Sequence, residues 1–255
     1  MLFFFQSVIF LIVFTLLFIG IRQIPGMNLN SLISTGEGVG WLYSEIGLIF
    51  GVMAAFTIQS QAKKWDDLLS SIRQEIINLR RLFWLSYHLP TDEAKKLQFS
   101  IQEYLGLITN EGWENIDIGS RSEKLENSIH FLQEVVFNLP KNTPEYSSTA
   151  TAIIRSIFES REERIYHSSK RTPLLLKTTI YTGALLMIVL SYFIGVSNFW
   201  IDYLFTGSIS FLTILIVMVI EDLEHPYRPG HWHITQEAYR KLHEEVAANN
   251  FIKET

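Results

Sequence analysis

Four long stretches without a charged residue constrain the fold of this chain more than any other feature. Each is close in length to the roughly 20 residues that cross the core of a bilayer as a helix. A charge at mid-span would cost about 2.5–3.5 kcal/mol, and a helix satisfies every backbone donor and acceptor internally. Four such stretches in one chain favour spanning helices over the core helices of a soluble protein. They cover Met1–Ile21 and the intervals between Glu45 and Lys63, between Lys177 and Asp202, and between Asp202 and Glu221.

The first stretch has a second interpretation, as a cleaved signal peptide. It has no basic residue before its apolar part and no small-x-small cleavage site near residues 20–25. We therefore expect it to remain attached as a membrane anchor.

The apolar stretches pair into two hairpins separated by a long polar segment. Lysine and arginine are concentrated in that segment close to the spans, as with Lys63, Arg73 and Arg171, whereas the connector 195–200 has none. Because positively charged loops are retained in the cytoplasm, we expect this segment and both termini to be cytoplasmic. The predicted divisions are a first transmembrane hairpin at 1–62, a cytoplasmic helical domain at 63–172, a second hairpin at 173–220 and a cytoplasmic tail at 221–255.

The central segment has the periodicity of amphipathic helices. After the second span, apolar residues recur every three or four positions, which predicts a helix continuous with that span. Leu89 and Pro90 end it, and Thr91 opens the next helix. Residues 112–120 form a break, and further helices are predicted at 123–139 and about 145–170. Without an alternating strand pattern, the chain is predicted to be an all-α membrane protein with a helical bundle extending from the bilayer. The periodic positions are Leu68, Leu69, Ile72, Ile76, Leu79, Leu82 and Phe83.

Composition excludes several classes of function. A net charge of −5 argues against nucleic-acid binding, for which a basic face is expected. The absence of cysteine removes disulfides, thiolate nucleophiles and cysteine zinc sites. The sequence has no Gly-rich phosphate loop, nucleophile elbow or intramembrane carboxylate pair. We therefore predict no catalytic residue and no cofactor.

Two sets of tail residues are of types that bind metals. The histidines lack a third ligand at a defined spacing, and such residues are usually solvated. The carboxylates suit a hard cation such as calcium, but they also suit the end of a helix and ion pairing. We favour the second interpretation of each set and predict no metal site. The residues are His225, His231 and His233, and Glu221, Asp222 and Glu224.

Two motifs that follow the second and fourth spans resemble those of the bestrophin family. In the first, a pore phenylalanine precedes a cluster that in bestrophins is arginine, tryptophan and glutamate. The second is similar to the bestrophin run that ends in Asn-Pro-Phe-Gly. The residues here are Phe56, Lys64, Trp65 and Asp67 for the first motif, and Glu221, Asp222, Leu223, Glu224, His225, Pro226, Tyr227 and Gly230 for the second.

A bacterial bestrophin-like group is more similar still. It shares an Ala-Phe pair, a Leu-Pro break and a tyrosine, here Ala55 with Phe56, Leu89 with Pro90, and Tyr104. The sequence departs from the group's Glu-Trp pair, because Gly112 separates Glu111 from Trp113.

The resemblance implies a homopentameric ion channel whose second spans line a central pore. Its partners would be the lipid bilayer, further copies of itself and small inorganic ions, with anions favoured by analogy with the family. The bacterial group implies a location in the inner membrane.

The second span has an apolar stripe that suits the neck of such a pore. Leu48, Val52 and Phe56 are spaced four residues apart, so they follow one helix face in steps of about 6 Å. Five copies would form three apolar rings, and such constrictions gate by dewetting. The alternative is that these side chains face lipid or pack in the core of a monomer.

Small and polar residues of the same span complete the candidate pore. Small residues at four-residue spacing allow close approach of neighbouring helices, either between subunits or within one. At the predicted cytoplasmic mouth, the uncharged polar residues would either hydrate an ion that leaves the pore or cap the end of the span. Lys64 would either attract anions or reflect only the excess of positive charge expected in cytoplasmic loops. The packing seam is Gly47, Gly51 and Ala55, and the mouth is Gln59, Ser60 and Lys64.

Three functions therefore stay open on the sequence alone. The first is a pentameric channel with its neck on the second span. The second is a non-conducting scaffold or sensor whose cytoplasmic domain binds a protein partner. The third is a membrane enzyme that uses the histidines and carboxylates of the tail.

Overall fold

The computed structural model describes residues 12–21, 37–110, 122–139, 144–194 and 198–249. These residues form helices joined by turns, and no strand occurs among them. The predicted all-α fold is therefore confirmed. The helices are α1 (Ile12–Ile21), α2 (Glu37–Ser86), α3 (Thr91–Asn110), α4 (Glu123–Phe137), α5 (Pro144–Ser169), α6 (Leu174–Phe193), α7 (Phe199–Glu224) and α8 (Glu237–Ala248).

Three described helices are long and apolar enough to cross a membrane. They are Gly40–Ser86 within α2, Leu174–Phe193 and Phe199–Glu224. The first and last contain the second and fourth predicted spans, and Leu174–Phe193 covers most of the third, which was predicted to extend to residue 201. Helix α1 covers only the last part of the first predicted span, because residues 1–11 lie outside the described ranges. The arrangement of four spans in two hairpins thus stays a prediction.

The chain divides into two compact units. The apolar unit comprises residues 1–60 and 172–221, and the polar unit comprises residues 61–171 and 222–255. Helix α2 contributes its first part to the apolar unit and the remainder to the polar unit.

The apolar unit has its core where α2 meets α6 and α7. Phe50 packs beside Gly183, where an added Cβ would lie 3.0 Å from the Phe50 ring. The absence of a side chain at Gly183 is what admits this aromatic ring between the helices. The buried residues of this core are Phe50, Ala54, Ile180, Ala184 and Ile220.

Aromatic rings attach α1 to α6 and α7. The Phe18 ring lies edge-on to the Tyr203 ring at 5.3 Å, and Phe14 packs against Tyr192 and Tyr203. A hydrogen bond of 2.8 Å joins the hydroxyls of Thr15 and Tyr203. Hydroxyls paired in this way are well suited to an apolar environment, where an unpaired polar group is costly.

The polar unit is a bundle in which α3 packs against α4 and α8, and α4 packs against α5. Its core contains the apolar face predicted for the extension of the second span, with Leu69 partly buried beside the others. The predicted Leu-Pro break also fits, since α2 ends at Ser86 and α3 begins at Thr91. The predicted break at 112–120 lies outside the described residues.

The tail contributes a helix to this core, which the sequence analysis did not predict. Tyr239, Leu242 and Val246 of α8 are all buried. Their spacing of three and four residues is that of an amphipathic helix and was a usable signal.

Candidate functional site

The proposed neck residues of α2 do not pack within the chain. Leu48, Val52 and Phe56 are 64%, 47% and 68% exposed. The opposite face of the same helix is buried through Phe50 and Ala54. Within one chain these three residues are therefore not core residues.

The residues of the proposed helix-packing seam, Gly47, Gly51 and Ala55, lie in two different environments. An added Cβ on Gly47 would lie 3.2 Å from the terminal methyl of Met187, so Gly47 serves the packing of α2 on α6. Gly51 has no neighbouring atom within 4 Å of such a position, and Ala55 is exposed. Only the first seam residue is used inside the subunit.

The proposed mouth residues also differ in exposure. Gln59 and Ser60 are exposed, as a role in contacting ions would require. Lys64 is buried at 8% exposure. Lys64 therefore does not share the exposure of the other two proposed mouth residues.

A buried carboxylate joins four helices of the polar unit. Glu75 of α2 accepts hydrogen bonds from the Tyr104 hydroxyl of α3 at 2.6 Å and from the Tyr239 hydroxyl of α8 at 2.9 Å. Arg164 of α5 donates from Nε to the same carboxylate at 2.8 Å. All four side chains are almost completely buried. We call these four residues the Glu75 network.

Burial and charge act together on the groups of the Glu75 network. Desolvation raises the pKa of Tyr104 and of Tyr239 well above that of an ordinary tyrosine, and the Glu75 carboxylate adds to this rise. Burial is the largest influence on Arg164 and opposes its charge, but the Glu75 carboxylate and the neighbouring tyrosines together outweigh burial and keep the pKa of the guanidinium well above its ordinary value. The network therefore holds one anion and one cation between two neutral phenols.

Sequence reasoning did not predict this network, and it used Tyr104 only as part of a family pattern. The usable signal was Glu75 itself, because it stands on the apolar face between Ile72 and Leu79. A carboxylate on a core face is almost never buried without a partner.

We expect the two buried tyrosines to cause alkaline unfolding. Because the folded state raises their pKa, their contribution to stability is complete below about pH 10 and is lost as the pH rises further. The loss should approach about 1.4 kcal/mol per pH unit for each tyrosine. Helical circular dichroism followed against pH should show the transition. Tyr239→Phe should make it less steep, and Tyr166→Phe, at an exposed tyrosine, should not.

A tight turn after α7 brings together the two bestrophin-like motifs. The carboxylate of Asp222 accepts from the backbone N–H groups of His231 at 2.8 Å and Trp232 at 3.1 Å. The indole N–H of Trp65 donates to the carbonyl of Trp232 at 2.9 Å, and the two rings pack edge to face. His233 also belongs to this turn, through a 2.9 Å contact between Nδ1 and the Arg228 carbonyl. Asp222 and His233 thus have structural partners.

The turn requires glycine at position 230. An added Cβ there would overlap the Asp222 carboxylate and lie 2.8 Å from its Cγ. We expect Gly230→Ala to lower the free energy of unfolding by about 0.5–3 kcal/mol, measured by thermal unfolding of the purified chain. Gly106→Ala is the control, because its Cβ would meet His243 at an ordinary 3.7 Å. An equal effect of the two changes would contradict the assigned role of Gly230.

Comparison with known proteins is consistent with this geometry. A family model described as Bestrophin-like domain matches residues 8–239. Two point-mutant crystal structures of a bacterial bestrophin homologue from Klebsiella pneumoniae superimpose with TM-scores of 0.69 and 0.70 at 10% and 9% sequence identity. Each match covers 81% of this chain and 85% of the other, and at this identity it establishes the fold alone. No curated protein matches the chain significantly.

Proposed function

This chain belongs to the bestrophin-like family, and from that membership we propose that it forms a homopentameric ion channel. The channel passes small ions passively along a pore lined by α2, with anions favoured by analogy with the family. It lies in the bacterial inner membrane with both termini cytoplasmic. The family is one of channels rather than enzymes, so the enzyme interpretation has no support.

One observation carries the proposal, the open apolar face of α2. Leu48, Val52 and Phe56 are exposed along one line of a continuous helix whose opposite face is packed. In a pentamer the three residues would form successive apolar rings about 6 Å apart. Such rings hold back hydrated ions until the pore widens, so this segment acts as the neck and gate.

Small residues beside the neck support packing between subunits. Gly51 and Ala55 lie open on the adjacent line of α2. Their small size lets the helix of a neighbouring subunit approach closely, which a narrow ring of five helices needs. Gln59 and Ser60 follow the neck on its open side and supply polar groups to an ion leaving it.

A non-conducting scaffold is the second candidate function. The polar unit exposes several large aromatic side chains, and exposed apolar surface often marks a protein contact. In this interpretation the polar unit binds a protein partner, and α2 only anchors it. The aromatic residues are Trp84, Phe99, Phe131 and Phe137.

Reconstitution of the purified full-length chain in liposomes distinguishes the two functions. Measurement of the particle mass gives the number of subunits, and quenching of an entrapped dye gives ion flux. A pentamer with flux supports the channel. A well-formed pentamer without flux supports the scaffold, and a monomer or dimer contradicts the proposed pore.

A further inference from the structure

Of the charged residues on the line of α2 that carries the proposed neck, Glu45 is the closest to it; Lys63, which is also exposed, lies on the same line seven residues after Phe56. At 100° per residue, Glu45 falls within about 20° of both Val52 and Phe56 around the helix axis. It lies three residues before Leu48, on the preceding turn of the helix. Glu45 is also exposed, like the neck residues themselves.

The charge of Glu45 is not neutralised within the described part of the apolar unit. Glu45 forms no ion pair with another described residue. Lys177 is the one basic side chain among the described residues of this unit, and it pairs with Glu221 at 2.7 Å. From Glu37 to Ser60, helix α2 contains no lysine, arginine or histidine.

We propose that Glu45 is a specificity-determining residue that favours cations at the N-terminal entrance of the neck. The proposal rests on the proposed pentameric pore, in which five Glu45 carboxylates would surround the axis. The apolar rings of the neck select neither sign of charge, so the nearest fixed charges decide which ions enter them. A ring of one sign raises the local concentration of its counter-ions and lowers that of its co-ions.

The sign of this effect is opposite to the anion preference that family analogy suggests. The sign of the wild-type reversal potential therefore decides between the family analogy and the role proposed for Glu45. Because the carboxylates act through water, salt should screen their influence, and the preference should be stronger at low ionic strength.

Reversal potentials across a potassium chloride gradient test the role of Glu45. The wild-type channel, reconstituted in a planar bilayer, should be more permeable to potassium than to chloride. Glu45→Gln should lower the permeability ratio roughly threefold at 0.15 M salt and by more at low salt. Glu45→Lys should favour chloride. Glu103→Gln removes an exposed carboxylate from α3 of the polar unit and should leave the ratio unchanged.

The outcomes separate this inference from the proposed function. An unchanged ratio in Glu45→Gln and Glu45→Lys channels that still conduct would overturn the role of Glu45 and leave the channel intact. Absence of current in the wild-type pentamer would overturn both. All variants are compared at equal protein content after gel filtration, so loss of assembly is seen separately.

Discussion

Replacement of Arg164 by methionine should lower the free energy of unfolding of the polar unit by about 3–5 kcal/mol. Arg164 is fully buried and is the cation that faces the Glu75 carboxylate at 2.8 Å. Without it, Glu75 would remain buried with a charge that only two phenols compensate. Since folded domains are stable by only about 5–15 kcal/mol, the variant should be close to unfolding at ordinary temperatures.

Thermal unfolding of the full-length chain in detergent and its rate of proteolysis measure this loss. Arg155→Met is the matched control, because Arg155 lies on the same helix and is exposed, so its loss should change stability by no more than about 0.5 kcal/mol. Glu75→Leu combined with Arg164→Met should recover part of the loss, because no unpaired charge is then buried. Equal stability of the Arg155 and Arg164 variants would show that the ion pair does not stabilise the bundle.

Local sequence signals predicted the helices of the central segment well, although not α8 of the tail. Pro90 and Thr91 act within a few residues of the boundary they define, and α3 begins at Thr91 as expected. Six of the seven periodic apolar positions from Leu68 to Phe83 are buried, and Leu69 is partly buried, because a 3.6-residue period places them on one face. These features depend on neighbours in the chain and need no knowledge of the tertiary fold.

The Glu75 network could not be predicted from local signals. Its three partners lie 29, 89 and 164 positions away in the sequence. These residues come together only because four helices pack against one another. Sequence periodicity predicts which face of a helix is buried, but not which other helix packs against that face. The same limit applies to the proposed neck. The spacing aligned Leu48, Val52 and Phe56 but did not show that they are unpacked within the chain.

Replacement of Phe56 by alanine should increase ion flux through the reconstituted channel. Phe56 is the largest of the neck residues, and its removal widens one apolar ring and reduces the cost of wetting it. We expect a gain of roughly tenfold, which corresponds to about 1.4 kcal/mol in the barrier. Val52→Ala should act in the same direction but less strongly, because it removes a smaller side chain. Dye-quenching flux at equal protein content in liposomes measures both.

The decisive control is an exposed apolar residue of another span. Leu185 of α6 is 62% exposed, close to the 64% of Leu48. If both faced lipid, Leu185→Ala and Leu48→Ala would alter flux equally little. If α2 lines the pore, Leu48→Ala should raise flux while Leu185→Ala leaves it unchanged, because only the first side chain lies on the ion path. If Leu48→Ala, Leu185→Ala and Phe56→Ala all give equal flux, the exposed face of α2 contacts lipid and the proposed neck does not control ion flow.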